Sequence, residues 1–351
     1  MPATDPSKMG FNVLLSCAGR RNYLVGFFQA ALAAAGLGGE VFVVDSSPDA
    51  PAMIAAGKRG FVMPSVDDPL YFDALLRRCQ DSSVSLLVPL NDFELPGLAR
   101  RAEDFRAIGV TPVVSPPDIV DLCFDKWRTF VRLGELGIPV PVTVLGLDAA
   151  KASLRAGVLS FPLVVKPRWG TGSIGVELVR DSRELDLGYA WLERRLPGTP
   201  VARVGKVPLA QRIIVQQALE GAEYGIDIVN GLDREPASVL VKRKLAMRAG
   251  ETDRAVTEPI EAIAELARKI SSSLRPRGVS DCDAFMTERG PFILELNPRF
   301  GGGYPFSHAA GADVPAALIA WARGLEAKPE WLSVRPGVFA SKYDLTVARE
   351  A

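Results

Sequence analysis

In Phe292-Ile293-Leu294-Glu295-Leu296-Asn297-Pro298-Arg299 apolar and polar side chains alternate from Leu294 to Asn297, and a period of two puts Glu295 and Asn297 on one face of a β-strand. Upstream, Val279 to Met286 reads as its partner, with the turn at Arg289-Gly290. Such a hairpin brings Asp283, twelve residues before Glu295 (295 − 283 = 12), beside both. Carboxylate and amide oxygens on one face of an otherwise apolar hairpin suit Mg²⁺, a hard cation that shares its shell with phosphate oxygens. Asp281 lies on the same face and is an alternative ligand, and a solvated polar strand face is the other reading. Arg299 follows at once, before Phe300-Gly301-Gly302-Gly303, where it can clamp a carboxylate or a transferring phosphoryl group.

Working outward, Lys166-Pro167-Arg168-Trp169-Gly170-Thr171-Gly172-Ser173-Ile174-Gly175 lies between two apolar strands, Phe161 to Lys166 and Val176 to Val179. Closely spaced glycines let backbone N–H groups approach an anion, Ser173 adds a hydroxyl, and Lys166 supplies a point charge. The stretch is not a P-loop, because Gly-Lys-Ser/Thr is absent and a strand follows where a helix should. Gln216-Gln217-Ala218-Leu219-Glu220-Gly221-Ala222-Glu223 leads from one strand to the next. It offers backbone groups to an adenine and the Glu223 carboxylate to ribose hydroxyls.

The first third alternates short apolar runs (Phe11 to Ser16, Val41 to Val44, Ser85 to Leu90) with helical stretches, which predicts a parallel sheet covered on both faces. Arg20, Arg21, Asp45, Asn91, Asp92 and Glu94 fall where the strands end, the edge at which open α/β sheets bind ligands. One helix is expected to carry Ile119, Leu122, Lys126, Phe130 and Leu133. Residues 181–210 give no clear pattern. Domain boundaries are expected at 1–9 (flexible leader), 10–117 (α/β domain), 118–218 (lobe with the glycine loop), 219–330 (lobe with the metal hairpin) and 331–351 (C-terminal segment).

Composition narrows the chemistry. The 351 residues are 48% apolar, and Lys+Arg equals Asp+Glu at 41 each. Without a basic excess, nucleic acid and anionic lipid are not expected partners. No run approaches the ~20 apolar residues of a membrane span. The residues before Met9 read as a frayed tail rather than a secretory signal. Four scattered cysteines predict a reducing, cytoplasmic setting. A single histidine, His308, excludes His-based triads and is expected to be a packing residue.

The order of these features is similar to that of the ATP-grasp superfamily, over roughly residues 10–325. The nearest likeness is to the branch of the carbamoyl-phosphate synthase large subunit and the pyrrolysine-biosynthesis ligase. Glu295-Leu296-Asn297-Pro298-Arg299-Phe300 carries it best, with Ser16-Cys17-Ala18-Gly19-Arg20-Arg21 and the run from Lys242-Arg243-Lys244 to Gly250-Glu251-Thr252 in support. The resemblance implies an α/β fold: a doubly wound parallel-sheet domain, then a two-lobed α+β ATP-grasp fold.

Lys126 and Lys166 would hold ATP phosphates under Gly170, Thr171, Gly172 and Ser173, with Gln217, Ala218 and Leu219 at the adenine and Glu223 at the ribose. Asp283, Glu295 and Asn297 would bind two Mg²⁺ ions, which Mn²⁺ could replace, and Arg299 with Lys166 would act in catalysis. Arg20, Arg21, Asp92, Glu94, Lys244, Arg248, Arg299 and Gly302 would meet the substrates, a small amino-acid-like carboxylate and an amine. A homodimer is the family-level expectation. Gln217 stands where many relatives carry Glu, and Asp283 where carbamoyl-phosphate synthase uses Gln.

The expected reaction is activation of a carboxylate as an acyl-phosphate followed by attack of the amine, with the glycine hairpin and Gly301–Gly303 as lids. A nucleotide-binding sensor without turnover is the alternative. A nicotinamide oxidoreductase is disfavoured, because Gly-x-Gly-x-x-Gly does not follow the first strand.

Overall fold

In the computed structural model, residues 10–170, 172, 174–199, 204 and 207–348 are described. The leader 1–9, Thr171, Ser173 and residues 349–351 lie outside them.

Five strands, β1 (Asn12–Ser16), β2 (Val41–Asp45), β3 (Gly60–Val62), β4 (Val84–Pro89) and β5 (Thr111–Pro112), form a parallel sheet in the order β3-β2-β1-β4-β5. Alternate side chains of β1 enter different cores. Val13 and Leu15 pack with Leu24 and Phe28 of the helix Asn22–Ala34, while Leu14 packs with Leu75 and Tyr71 of the helix Tyr71–Asp81. That two-sided burial is why these strands read as unbroken apolar runs. The far end of the chain also joins the first core, where Phe300, Tyr304, Val314 and Leu318 cover the sheet.

The rest is antiparallel. β6 (Thr143–Leu145), β7 (Leu163–Pro167), β8 (Glu177–Val179) and β9 (Ile213–Gln217) form a sheet in the order β6-β9-β7-β8. The stretch 181–210, which shows no clear pattern in sequence, contains the helix Ser182–Arg195, which packs Leu185, Tyr189 and Leu192 on that sheet. Asp181 caps its start, accepting from the Arg183 and Glu184 backbone N–H groups, and Glu184 reaches back past the cap to accept from Arg180 N–H.

β10 (Ala222–Asn230), β11 (Pro236–Arg248), β12 (Glu251–Thr257), β13 (Gly278–Thr287), β14 (Gly290–Asn297) and β15 (Phe339–Ser341) make a six-stranded sheet ordered β14-β13-β10-β11-β12-β15. The helix Glu261–Leu274 backs it through Ile263, Ala267, Ile270 and Leu274. Each fully buried large aliphatic there contributes roughly 1.5–3 kcal/mol. Among the described residues no helix is long and apolar enough to cross a membrane.

The helix expected through Ile119 and Leu133 is two, Pro117–Phe124 and Lys126–Glu135. Asp125 divides them: its backbone is extended, and its carboxylate caps the second helix by accepting from Arg128 N–H. Lys126 therefore stands in the first turn of a helix instead of mid-helix.

Candidate active site

The two antiparallel sheets face each other across a cleft of about 400 Å³, and Arg21 reaches it from the parallel-sheet unit. The acidic wall is the β13–β14 hairpin. It turns in two residues between Thr287 and Gly290, and Gly290 takes a left-handed φ of 101° that a side chain would resist. Asp283 pairs with Glu295 and Asp281 with Asn297, but the register slips between Asp283 and Ala284, whose partner is Ile293. Leu294 is thus a β-bulge. Opposed residues share a face, so an unbroken ladder would set Asp283 against Leu294 and turn Glu295 to the other side. The bulge brings both carboxylates onto the cleft.

The basic wall comes from three elements. Asp125 is bonded twice to Arg168, at 2.7 Å each, and this nearly buried pair ties the start of the Lys126 helix to the root of the glycine loop. Lys126 Nζ donates to the Gly170 carbonyl and lies 3.1 Å from Glu295 Oε1. Lys166, on β7, is buried. Its Nζ donates to Gln216 Oε1 at 2.8 Å and sits 5.4 Å from the Phe130 ring centre. Burial lowers Lys166 to about 8; nearby Glu295 opposes the shift and Lys126 adds to it. Burial alone would raise Glu295, but Lys126 and Lys166 outweigh it and hold the carboxyl below its ordinary value.

Lys244, on β11, bridges Glu223 (2.8 Å) and Asp283 (2.7 Å). Burial would lower it, yet the two carboxylates hold it above its ordinary value. Asp283 itself is raised, by burial first, against the pull of Lys244.

Asp283, Glu295 and Asn297 offer hard oxygens from one strand pair, half the shell a Mg²⁺ ion needs. Among the described residues no three His, Cys, Asp or Glu close into a metal cage. That donor set fits an ion whose remaining ligands are phosphate oxygens and water. The lysines beside Glu295 and Asp283 fit the same picture, since they neutralise the acids and can turn to phosphate.

The glycine-loop residues Gly170 and Gly172 line the cleft, as do Gln217, Ala218 and Leu219. The Gln217 side chain spans the neighbouring segment, accepting from Ser160 N–H and donating to Pro162 O.

At the other end stands Arg299, buried, which donates to Asp92 Oδ2 at 2.7 Å and lies 3.4 Å from Asp281 Oδ2. The three glycines after Phe300 pack so closely that none has room for a side chain. A Cβ on Gly301 would fall 2.1 Å from Asp281 Oδ1, one on Gly302 3.1 Å from Glu251 Cδ, and one on Gly303 3.0 Å from Lys242 Cε. Lys242 is in turn locked in a buried pair with Asp227 at 2.6 Å.

Of the residues expected to meet substrate, Arg21, Lys244, Arg299 and Gly302 line the cleft. Asp92 lies beneath Arg299. Glu94 is buried in the parallel-sheet unit, taking a hydrogen bond from Tyr71 Oη at 2.7 Å. Arg20 is exposed, and Arg248, at the exposed tip of β11, pairs with Asp253 and Asp344. Gln216, Glu251 and the Asp125–Arg168 pair escape the sequence reading. Asp125 carried a local signal, an N-cap residue directly before Lys126; the others depend on long-range contacts. His308 packs, stacked 3.6 Å from Phe27.

Residues 13–113 match the family model described as PylC-like, N-terminal domain, and residues 210–342 match the one described as ATP-grasp in the biosynthetic pathway with Ter operon. The carbamoyl phosphate synthase large chain of Methanoregula boonei is 26% identical over 251 residues, 71% of this chain and 22% of that one. The chain spans less than half the length of the first curated relatives it matches, 44% and 22%.

Among solved structures, the biotin carboxylase domain dimer of Hydrogenobacter thermophilus 2-oxoglutarate carboxylase, with MgADP, ADP and bicarbonate, aligns with TM-score 0.73 and 15% identity, covering 95% of this chain and 74% of that one. The L-amino acid ligase of Bacillus licheniformis aligns with TM-score 0.65 and 18% identity, covering 94% and 78%. At those identities the likeness establishes the fold. The fold is the ATP-grasp fold that these structures share, and residues 210–342 are similar to an ATP-grasp family model. Residues 13–113 are similar to PylC-like N-terminal domains and carbamoyl phosphate synthase large chains are among the similar proteins, the branch that Glu295-Leu296-Asn297-Pro298-Arg299-Phe300 resembles.

Proposed function

We propose that the chain is an ATP-dependent carboxylate–amine ligase. A substrate carboxylate oxygen attacks the γ-phosphorus of ATP, the bond to the ADP oxygen breaks, and an acyl-phosphate forms. The amine nitrogen then attacks the acyl carbon, phosphate leaves, and the nitrogen sheds a proton to give an amide. This chemistry asks for positioning and charge neutralisation more than for a protein nucleophile.

The observation that carries the reading is the convergence of Lys126, Lys166 and Lys244 on Glu295, Asp283 and Glu223 in one cleft. Lys126 and Lys166 neutralise the phosphates, Gln217 to Leu219 meet the base, and Glu223 takes the ribose once Lys244 turns away. Mg²⁺ held by Asp283, Glu295 and Asn297 would supply charge neutralisation between the phosphates. Arg299, oriented by Asp92, steadies the carboxylate or the acyl-phosphate. Two ions, with Mn²⁺ as a substitute, a homodimer and a reducing cytoplasmic setting belong to the same reading; the described cysteines are all free.

The test is ADP release with hydroxylamine, which traps an acyl-phosphate as a hydroxamate, across a panel of small carboxylates. The wild type should form a hydroxamate, and Glu295→Ala should lose it by at least ~100-fold while keeping its circular dichroism spectrum. Near-normal turnover by Glu295→Ala would refute the metal assignment.

A further inference from the structure

Arg168 sits inside the glycine-loop motif, two residues after Lys166, yet neither it nor Asp125 is among the described residues that line the cleft. Each of its three guanidinium nitrogens is engaged elsewhere. Nε and Nη2 grip the two Asp125 oxygens at 2.7 Å, and Nη1 donates to the Gln211 carbonyl at 3.4 Å. The main chain of Arg168 is held as well: its N–H donates to Arg212 O at 2.8 Å, and its carbonyl accepts from Lys126 N–H at 3.1 Å. One residue thus ties together the end of β7, the approach to β9 and the first turn of the helix Lys126–Glu135.

Capping does not account for this arrangement. Asp125 caps that helix through one bond from Arg128 N–H, at 3.3 Å, and an asparagine or serine would serve equally. Stability does not account for it either. The two side chains are only 6% and 11% exposed, and burying a charge pair costs about as much desolvation as its attraction returns. What a fork between guanidinium and carboxylate supplies, and a neutral contact does not, is a fixed distance and angle between two elements. The element fixed here begins with Lys126, whose Nζ donates to the Gly170 carbonyl and lies 3.1 Å from Glu295 Oε1.

We propose that Asp125 and Arg168 are a positioning pair for the nucleotide: they hold the Lys126 ammonium at one point between the glycine loop and the Glu295 carboxylate, and act on the phosphates only through it. The assignment rests on the ligase reading above and extends it to two residues outside the cleft.

The affinity for MgAMPPNP, measured by titration calorimetry beside thermal unfolding, tests this. Arg168→Lys keeps the charge and loses the fork. A charge-assisted hydrogen bond to phosphate corresponds to about 10-fold or more in affinity, so Lys126→Met and Arg168→Lys should each bind at least that much more weakly, with the unfolding temperature of Arg168→Lys unchanged. Lys126→Met combined with Arg168→Lys should bind as Lys126→Met does alone, because nothing is left to position. Asp125→Asn combined with Arg168→Gln, which buries no charge, should show the same loss and the same lack of additivity with Lys126→Met. Wild-type affinity in Arg168→Lys, losses that multiply in the combined variants, or a loss that comes only with a lower unfolding temperature in both pair variants overturns the positioning role while leaving the ligase reading intact. A wild type that binds no MgAMPPNP overturns the ligase reading, and the role of the pair falls with it.

Discussion

Glu94 offers a direct check, because sequence position suggests a substrate ligand whereas the structure buries it. The residue is fully buried, its Oε1 accepts from Tyr71 Oη at 2.7 Å, and its Oε2 has no hydrogen-bond partner. Burial raises its pKa from 4.5 to about 7, with the Tyr71 hydrogen bond opposing. The folded state therefore holds the proton more tightly than the unfolded chain, where the carboxyl ionises near 4.5. Stability is full below that value, declines as pH rises toward 7, and levels off above. The gap from 4.5 to about 7, at ~1.36 kcal/mol per pH unit, bounds the loss at about 3 kcal/mol.

Glu94→Gln mimics the neutral acid at every pH. It should match the wild type near pH 5 and exceed it by up to about 3 kcal/mol at pH 8, read from urea midpoints and slopes at both values. KM for the carboxylate substrate at pH 6.5 should not change. A stability difference that is the same at both pH values would refute the placement of Glu94, and so would a variant less stable than wild type at pH 8.

Lys166 carries a second pH signature. Lowered to about 8 in the free protein, it is mostly neutral at pH 9, and phosphate anions would restore its proton. Calorimetry of ATP binding at pH 9 should therefore show uptake approaching one proton, as a dependence on buffer ionisation enthalpy that Lys166→Met removes. Asp92→Asn takes one carboxylate from buried Arg299 and should cost about 3 kcal/mol in thermal unfolding, with a higher KM for the carboxylate substrate. Gly301→Ala puts a methyl group 2.1 Å from Asp281 Oδ1, so the loop or the carboxylate must shift. Hydroxamate formation should fall at least ~10-fold while the circular dichroism spectrum stays native.

Much of this protein follows from local rules. Near-continuous apolar runs such as Val41 to Val44 and Leu86 to Val88 can be buried only in a sheet covered on both faces. The alternation Glu295-Leu296-Asn297, with a glycine at the turn, sets the hairpin and the shared face of Glu295 and Asn297 without reference to the rest of the chain. The Asp181 cap with Glu184 three residues on is equally local, but its polar surroundings give it no apolar periodicity to stand out from.

What tertiary structure alone decided is how charges are shared. Whether Leu294 bulges depends on β13 and β14 each meeting the core at their own phase. Asp92 and Arg299, Lys244 and Asp283, and Asp125 and Arg168 are partners brought together across long stretches of chain. Periodicity records which face a side chain takes, since that is settled within a few residues. An ion pair needs two elements at one place and angle, a condition set only when the sheets dock.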